Sequence, residues 1–490
     1  MNPLLGLSLI ILYFGFLIWV SARTAGKETD SQAFFIANRS SSWYLVAFGM
    51  IGTSLSGVTF ISVPGMVKSG NLHYLQIVLG YLVGYLVIAN VLMPLYYRLQ
   101  LVSIYTYLGQ RFGYWSYKTG AAFFILSRLL GSSARFFLVL SVLHEAIFRH
   151  FFIPFWLSVG LGLLLIWLYT WRGGIKTIVI TDTLQTFCML AAVFISLYFL
   201  SHTVLKPGQS LTGFLSENPL ATVFNQDPVS RFFWLKQVLA GAFIAITMTG
   251  LDQDMMQKNL TCKSLSEAKK NMYWFSAILL LVNAAFLVLG LLLYAYAEKN
   301  AIALPPKSDQ LFPLLALGHF PVWLGLLFLM GIIAATYAST DSALAALTTS
   351  FCFDFLDFQN KEEKRRQKEK FRVHLAMSGL IWLVVVGFYL FNQDSLINTV
   401  FDIASITYGP LLGLYALGLY TRIQPFDRAI PGLCILAASL SWILKKYSRD
   451  LLGGYEFGFE ILLVNGLLTF ILLWISSFFH PGEKQKAAAL

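Results

Sequence analysis

The sequence predicts an all-α integral membrane protein with about thirteen transmembrane helices. Two observations set that class. The 490 residues are 57% hydrophobic and only 12% charged, with a mean hydropathy of +0.68. A water-soluble core of this size needs far more polar surface to cover it. The apolar residues are also gathered into runs close to the roughly 20 residues that cross ~30 Å of hydrocarbon.

Those runs fall at 4–21, 44–66, 72–97, 119–147, 153–170, 176–200, 232–256, 273–297, 321–353, 372–391, 397–421, 430–446 and 457–478. The first, PLLGLSLIILYFGFLIWV, has no basic residue before it and no clear small-residue cleavage site, so it reads as a span and not as a signal peptide. The second, GMIGTSLSGVTFISVPG at 49–65, concentrates small residues (Gly52, Ser54, Ser56, Gly57) before Pro64-Gly65 and reads as a broken helix. The fourth carries Arg128 and Arg135, and the sixth carries Asp182 between Thr181 and Thr183. The seventh, GAFIAITMTGLDQD at 241–254, loses apolarity at Thr247–Gly250 and reads as a second break. The ninth carries Asp341 and the eleventh Asp402. Unwound backbone at membrane depth survives only where it lines a cavity, and breaks in matching positions of two halves point to a transporter's binding site. Spans 2–6 and 7–11 are two sets of five, each led by its broken member, and an odd number of spans inverts the second set. The expected layout is one membrane domain. It has an extra N-terminal helix at 4–21, five-helix repeats at 44–200 and 232–421, C-terminal helices at 430–478 and a tail at 479–490.

Charge gives the orientation. With residues at span ends counted in the adjoining loops, loops that alternate with thirteen spans put 23 of the 35 Lys and Arg on one side and nine on the other, with three inside spans. Basic loops face the cytoplasm. The N-terminus is therefore expected outside and the C-terminus inside a plasma (inner) membrane. The run KEEKRRQKEKFR at 361–372 reads as a cytoplasmic loop near anionic headgroups rather than a nucleic-acid site. The four cysteines show no metal-ligand spacing and no placement for an extracellular disulfide. Walker, GxSxG and HExxH motifs are missing, so neither an ATP-driven pump nor an enzyme is expected.

Ionisable residues inside spans are the informative exceptions, at ~2.5–3.5 kcal/mol each on insertion scales. Glu145, Lys236, Asp252 and Asp254 lie nearer span ends and read as snorkelling interfacial charges. Asp341 differs. Ala338, Asp341, Ser342 and Ala345 share one helix face, with Ser339 alongside. Carboxylates and hydroxyls are hard oxygen ligands suited to an alkali cation. Two buried carboxylates without a cation repel, so a cation or a proton is expected between Asp182 and Asp341. The competing reading of the hydroxyls is that they bond back to their own helix.

Four motifs carry a family likeness: YTYLGQRFG after the third span, YTWRGGIKTIVITDTLQ in the sixth, GLDQDMMQKNL after the seventh and STDSALAALTTSFCFDF in the ninth. In this order the chain resembles the sodium:solute symporter family, which includes sodium/glucose, sodium/proline and sodium/sialic-acid transporters. The resemblance implies a LeuT-like fold of two inverted five-helix repeats, with an additional N-terminal helix and extra C-terminal helices. It implies a main sodium site from the carbonyls of Gly52, Leu55 and Ala335 and the hydroxyl of Ser339. Ala338 stands where many members have a second Ser; a register one residue on makes Ser339 and Thr340 the pair. It implies a second cation site from Asp182, Asp341, Ser342 and Ala338, with aspartate at 341 where such members carry serine.

The polar set of sugar-transporting members is lost at Thr59, Val78, Ala245, Met248 and Leu279. Ser56 and Thr59 match the sialic-acid members, and Arg128 or Arg135 could hold a carboxylate bidentately. Alternatively, one arginine pairs with a buried acid. Met248, Tyr74, Gln76 and Asn283 complete the solute-site candidates, and Asp402 is a candidate gating residue. The implied activity is secondary active transport: sodium-coupled symport, by alternating access, of a small organic solute bearing a carboxylate, such as a sialic acid-like sugar acid. Symport of a neutral sugar, polyol, amino acid or vitamin, and proton coupling, are the alternatives. The expected partners are that solute, sodium and the bilayer, with no organic cofactor and no nucleic acid. The chain is expected to be a monomer.

Overall fold

The computed structural model describes residues 2–24, 40–170, 174–356, 358, 361–391 and 396–479. All but the first residue of the expected tail at 479–490, most of the first loop and Trp171–Gly173 of the sixth-span motif lie outside the described residues. The principal helices are α1 (Pro3–Thr24), α2 (Trp43–Ser54), α3 (Gly57–Gly65), α4 (Tyr74–Val87), α5 (Tyr114–Ala146), α6 (Phe155–Thr170), α7 (Gly174–Val204) and α8 (Trp234–Ala245). They continue with α9 (Gln253–Asn259), α10 (Leu265–Lys299), α11 (Val322–Phe355), α12 (Glu363–Phe391), α13 (Leu396–Thr407), α14 (Gly409–Tyr420), α15 (Ile430–Leu451) and α16 (Ile461–Ser476). Among the described residues, ten helices are long and apolar enough to cross a membrane, two bent pairs qualify together, and α6 is a shorter apolar helix.

Both expected breaks are present. The α2–α3 pair bends by 56°. Leu55 (φ −86°, ψ 72°) and Ser56 (φ −69°, ψ 173°) leave the helical region between them. The α8–α9 pair bends by 69°, after a π-helical turn at Ile246–Gly250. There the Asp252 carboxylate caps α9, accepting from the N–H groups of Asp254 (3.0 Å) and Met255 (3.2 Å).

The helices pack around α7 and α11. The first of these lies against α2, α10 and α11, and the second also against α5. α4 runs along α8, and α10 runs along α4 and α2. From Gly331 to Ser350 every residue of α11 is buried, including Thr336, Ser339, Thr340, Asp341 and Ser342. Its hydroxyls and carboxylate thus face protein, while large apolar side chains such as Leu12, Trp19 and Leu281 are left on the outer surface.

The α4–α8 crossing depends on the absence of two side chains. A Cβ on Gly80 would overlap the Val238 carbonyl oxygen, and one on Gly241 the Ile77 carbonyl oxygen. Small residues permit such close backbone approach. Gly80→Val is therefore expected to destabilise the protein by about 1–3 kcal/mol or more, because backbone cannot move aside. Thermal unfolding in detergent measures this. Gly379→Ala, where an added Cβ meets nothing within 4 Å, is the control and should match wild type.

Candidate cation and solute site

The first break supplies backbone oxygens. The Leu55 N–H makes the last bond of α2, to the Ile51 carbonyl at 2.8 Å. Carbonyls after Ile51 have lost their helical donors. Among the described residues no donor reaches the Gly52 or Leu55 carbonyl. The second break is different: the hydroxyl of Tyr96 donates to the Gly250 carbonyl (2.8 Å) and that of Tyr105 to the Leu251 carbonyl (2.9 Å). Glycines let the first break lie close to its neighbours. A Cβ on Gly52 would overlap Thr186 of α7, and one on Gly57 would overlap Thr336 of α11 and Val139 of α5. Facing the break, Ser339 and Thr340 each donate their proton to the Thr336 carbonyl at 2.9 Å. That back-bonding leaves the hydroxyl oxygens with lone pairs only, which suits a cation ligand. Ala335 is buried one turn earlier on α11.

The second candidate site brings Asp182 of α7 near Asp341 of α11, and an unexpected cation lies between helices there. Asp182 Oδ2 accepts from Lys258 Nζ of α9 at 2.5 Å, and both side chains are fully buried. Lys258 also donates to Thr53 Oγ1. Thr53 in turn lies 3.3 Å from Asp182 Oδ2 and 3.5 Å from the Ala338 carbonyl, joining α2, α7 and α11. Asp182 Oδ1 is buried with no partner among the described residues. Asp341 accepts from the Tyr169 hydroxyl (2.7 Å) and from the Ser342 N–H (2.5 Å).

A third ionic group corrects an expectation. Asp252 and Asp254 do not snorkel; they are 0% and 1% exposed. Arg128 of α5 contacts Asp254 and lies 3.7 Å from Asp252. Ser342 donates to Asp254, and Tyr408, just before α14, donates to Asp252. The 69° bend is the reason. It turns this segment back under the bundle instead of letting it run out to the interface. Lys258 is corrected for the same reason. The span bounds 232–256 and 273–297 leave it in a loop of the basic side, yet all seven residues of α9 are buried. The legible signal was the polar run DQDMMQKN placed directly after a break.

A cavity opens beside the first break. Ser54, Leu55, Ser56 and Thr59 line it with Tyr74, Tyr81 and Tyr85 of α4, Met248 and Thr249 of the second break, Asn283, Val400 and Phe401. Both arginines reach it. Arg128 is committed to the two aspartates. Among the described residues Arg135 has neither an ion-pair partner nor a hydrogen bond. Asn283 Oδ1 is likewise buried and unpartnered there. Two expected members are elsewhere. Gln76 sits at the start of α4, where its amide donates to the His73 (3.1 Å) and Phe232 (3.2 Å) carbonyls and so anchors a loop. Asp402 pairs with Lys445 of α15 with its side chain 45% exposed, apart from the buried acids. Glu145 pairs with Arg149 at the exposed end of α5, as expected. Lys236 stacks on Tyr455, 4.2 Å from the ring centre.

Comparison with known proteins agrees with this architecture. The model of the sodium:solute symporter family matches residues 34–424. A putative sodium-dependent multivitamin transporter of Drosophila melanogaster is 27% identical over 434 residues, covering 85% of this chain and 70% of the relative. The sodium/sialic acid symporter NanT of Aliivibrio fischeri is 23% identical over 475 residues, covering 94% and 92%. A solved Na+-coupled sialic acid symporter, substrate-bound and outward-open, superposes with a TM-score of 0.80 at 18% identity over 97% of this chain and 98% of its own. A helical bundle with two broken spans, matched across most of its length by one family model, places the chain in the sodium:solute symporter family, multi-pass membrane proteins that move a solute together with sodium.

Proposed function

We propose that the chain imports a small carboxylate-bearing organic solute by sodium-coupled alternating access, and that Arg135 holds the carboxylate. The observation that carries this is a guanidinium in the cavity with no ion-pair partner among the described residues, seven residues from an arginine already paired with two aspartates. Arg is always charged and its planar fork matches a carboxylate. The sialic acid handled by the relative and by the solved neighbour is a sugar acid, which supports an acidic solute. Ser56 and Thr59 offer hydroxyls, while Tyr74, Met248 and Phe401 supply the apolar wall around the body of the solute.

Sodium is assigned to the first break, between the free carbonyls of Gly52 and Leu55, that of Ala335, and the hydroxyl of Ser339 or Thr340. An ion there ties α2–α3 to α11, favouring the outward-open, solute-ready state. The membrane potential contributes ~2.3 kcal/mol per charge per 100 mV, enough for tenfold or greater accumulation. With basic loops inside, the N-terminus lies outside and Arg128 lies cytoplasmic of Arg135. The Arg128–Asp252–Asp254–Tyr408–Ser342 group then closes the cytoplasmic side of the cavity. The packing of α4 along α8 and of α10 along α2 supports the inverted-repeat reading. A proton-coupled version is favoured by one observation: Asp341 is buried and, among the described residues, has no ion pair, so a proton can supply the neutralisation that a cation otherwise would.

Uptake of a panel of sugar acids and other carboxylates into proteoliposomes decides between these. Uptake driven by an imposed sodium gradient is expected; uptake driven only by a pH gradient would select the proton version. Arg135→Gln should remove carboxylate uptake while sodium-dependent thermal stabilisation persists. Ser339→Ala should raise the half-saturating sodium concentration about tenfold, equivalent to ~1.4 kcal/mol. Arg128→Gln leaves two buried aspartates uncompensated and should lower stability by about 3–5 kcal/mol. Adding Asp254→Asn should recover part of that loss in thermal unfolding.

A further inference from the structure

The second cation position is the place where this chain departs from a simple array of ion ligands. Each ligand expected there already has a protein partner. Lys258 Nζ lies 2.5 Å from Asp182 Oδ2 and also contacts Thr53 Oγ1. The two oxygens of Asp341 accept from the Tyr169 hydroxyl at 2.7 Å and the Ser342 N–H at 2.5 Å. The Ser342 hydroxyl donates to Asp254. One oxygen, Asp182 Oδ1, is left bare. A hard cation needs several oxygens at once, and one bare oxygen does not make a site.

The geometry points to Lys258 as a tethered cation that fills the second cation position at Asp182, so that one sodium ion, at the first break, accompanies each solute. This rests on the sodium-coupled reading and adds to it the stoichiometry and the residue that sets it. The physical reason is local neutrality. A carboxylate at this depth is costly unless a positive charge stands beside it or donors satisfy both oxygens, and Asp182, with one oxygen bare, depends on the charge. A diffusible ion supplies that charge only while bound. An ammonium on the protein supplies it throughout the cycle, and because it stays with the chain it is not released inside. The bend after α8 makes this possible, because it turns α9 into the bundle and brings a residue that follows the span back to α7.

The test counts sodium with sodium alone as the probe. Purified full-length protein in nanodiscs is titrated with radioactive sodium at constant ionic strength in choline, and sodium-dependent thermal stabilisation is followed in parallel. Wild type is expected to bind about one ion per chain with a hyperbolic isotherm. Lys258→Gln exposes Asp182 and Thr53 and should bind one more ion, with a steeper sodium dependence of its melting temperature. Lys258→Gln combined with Asp182→Asn should return to the wild-type count, which locates the added ion at Asp182. Two ions bound to wild type, or no added ion in Lys258→Gln, overturns the inference. No ion bound to any of the three proteins would instead sink the sodium-coupled reading itself, so the two failures are distinct. Should Lys258→Gln not assemble, the wild-type count alone decides: one ion supports the inference and two overturn it.

Discussion

Neutralising carboxylates inside an apolar bundle is the constraint from which the rest of this structure follows. Asp182, Asp252, Asp254 and Asp341 are all at most 1% exposed. An unpaired ion at such depth costs several kcal/mol. Each acid is therefore answered by a group from another helix: Lys258 for Asp182, Arg128 and Tyr408 for the pair on the second break, Tyr169 for Asp341. These pairings join α5, α6, α7, α9, α11 and the start of α14. They also confine the helices to arrangements in which every charge keeps a partner, as a protein with discrete transport states requires.

The two breaks look alike in the sequence and differ in their chemistry. Both interrupt a span and bend the chain sharply. At the second, tyrosine hydroxyls from the α4 side cover the freed carbonyls, and an aspartate caps the new helix. That break is internally satisfied and acts as a structural corner. At the first, the Gly52 and Leu55 carbonyls have no such cover among the described residues. Backbone oxygens in that state are costly unless water, an ion or a ligand reaches them. The cavity lies on that side, and so does Arg135. The asymmetry is what makes the first break, and not the second, the proposed meeting place of ion and solute.

Arg128 and Arg135 show how far residue identity carries. They stand on nearly one face of α5, and the chain offers nothing local to rank them. Their difference is made by α9 and its cap, more than a hundred residues later, which bring two acids within ion-pair distance of Arg128 and, among the described residues, none within that distance of Arg135. Gln76 is the same lesson reversed. A polar residue early in a span looked like a solute ligand, but a loop folded over it and took its amide.

Hydropathy and small-residue clusters determined the all-helical membrane class, the run of spans and the two breaks, because these depend on transfer free energies and backbone freedom that each segment carries with it. The four motifs identified the family by the same local means. Which acid meets which base, whether Lys258 lies in a loop or in the bundle, and which arginine remains free were decided only by the tertiary structure. Charge pairing depends on distances between helices, and those are set by where the broken segments turn, not by the residues within any one of them.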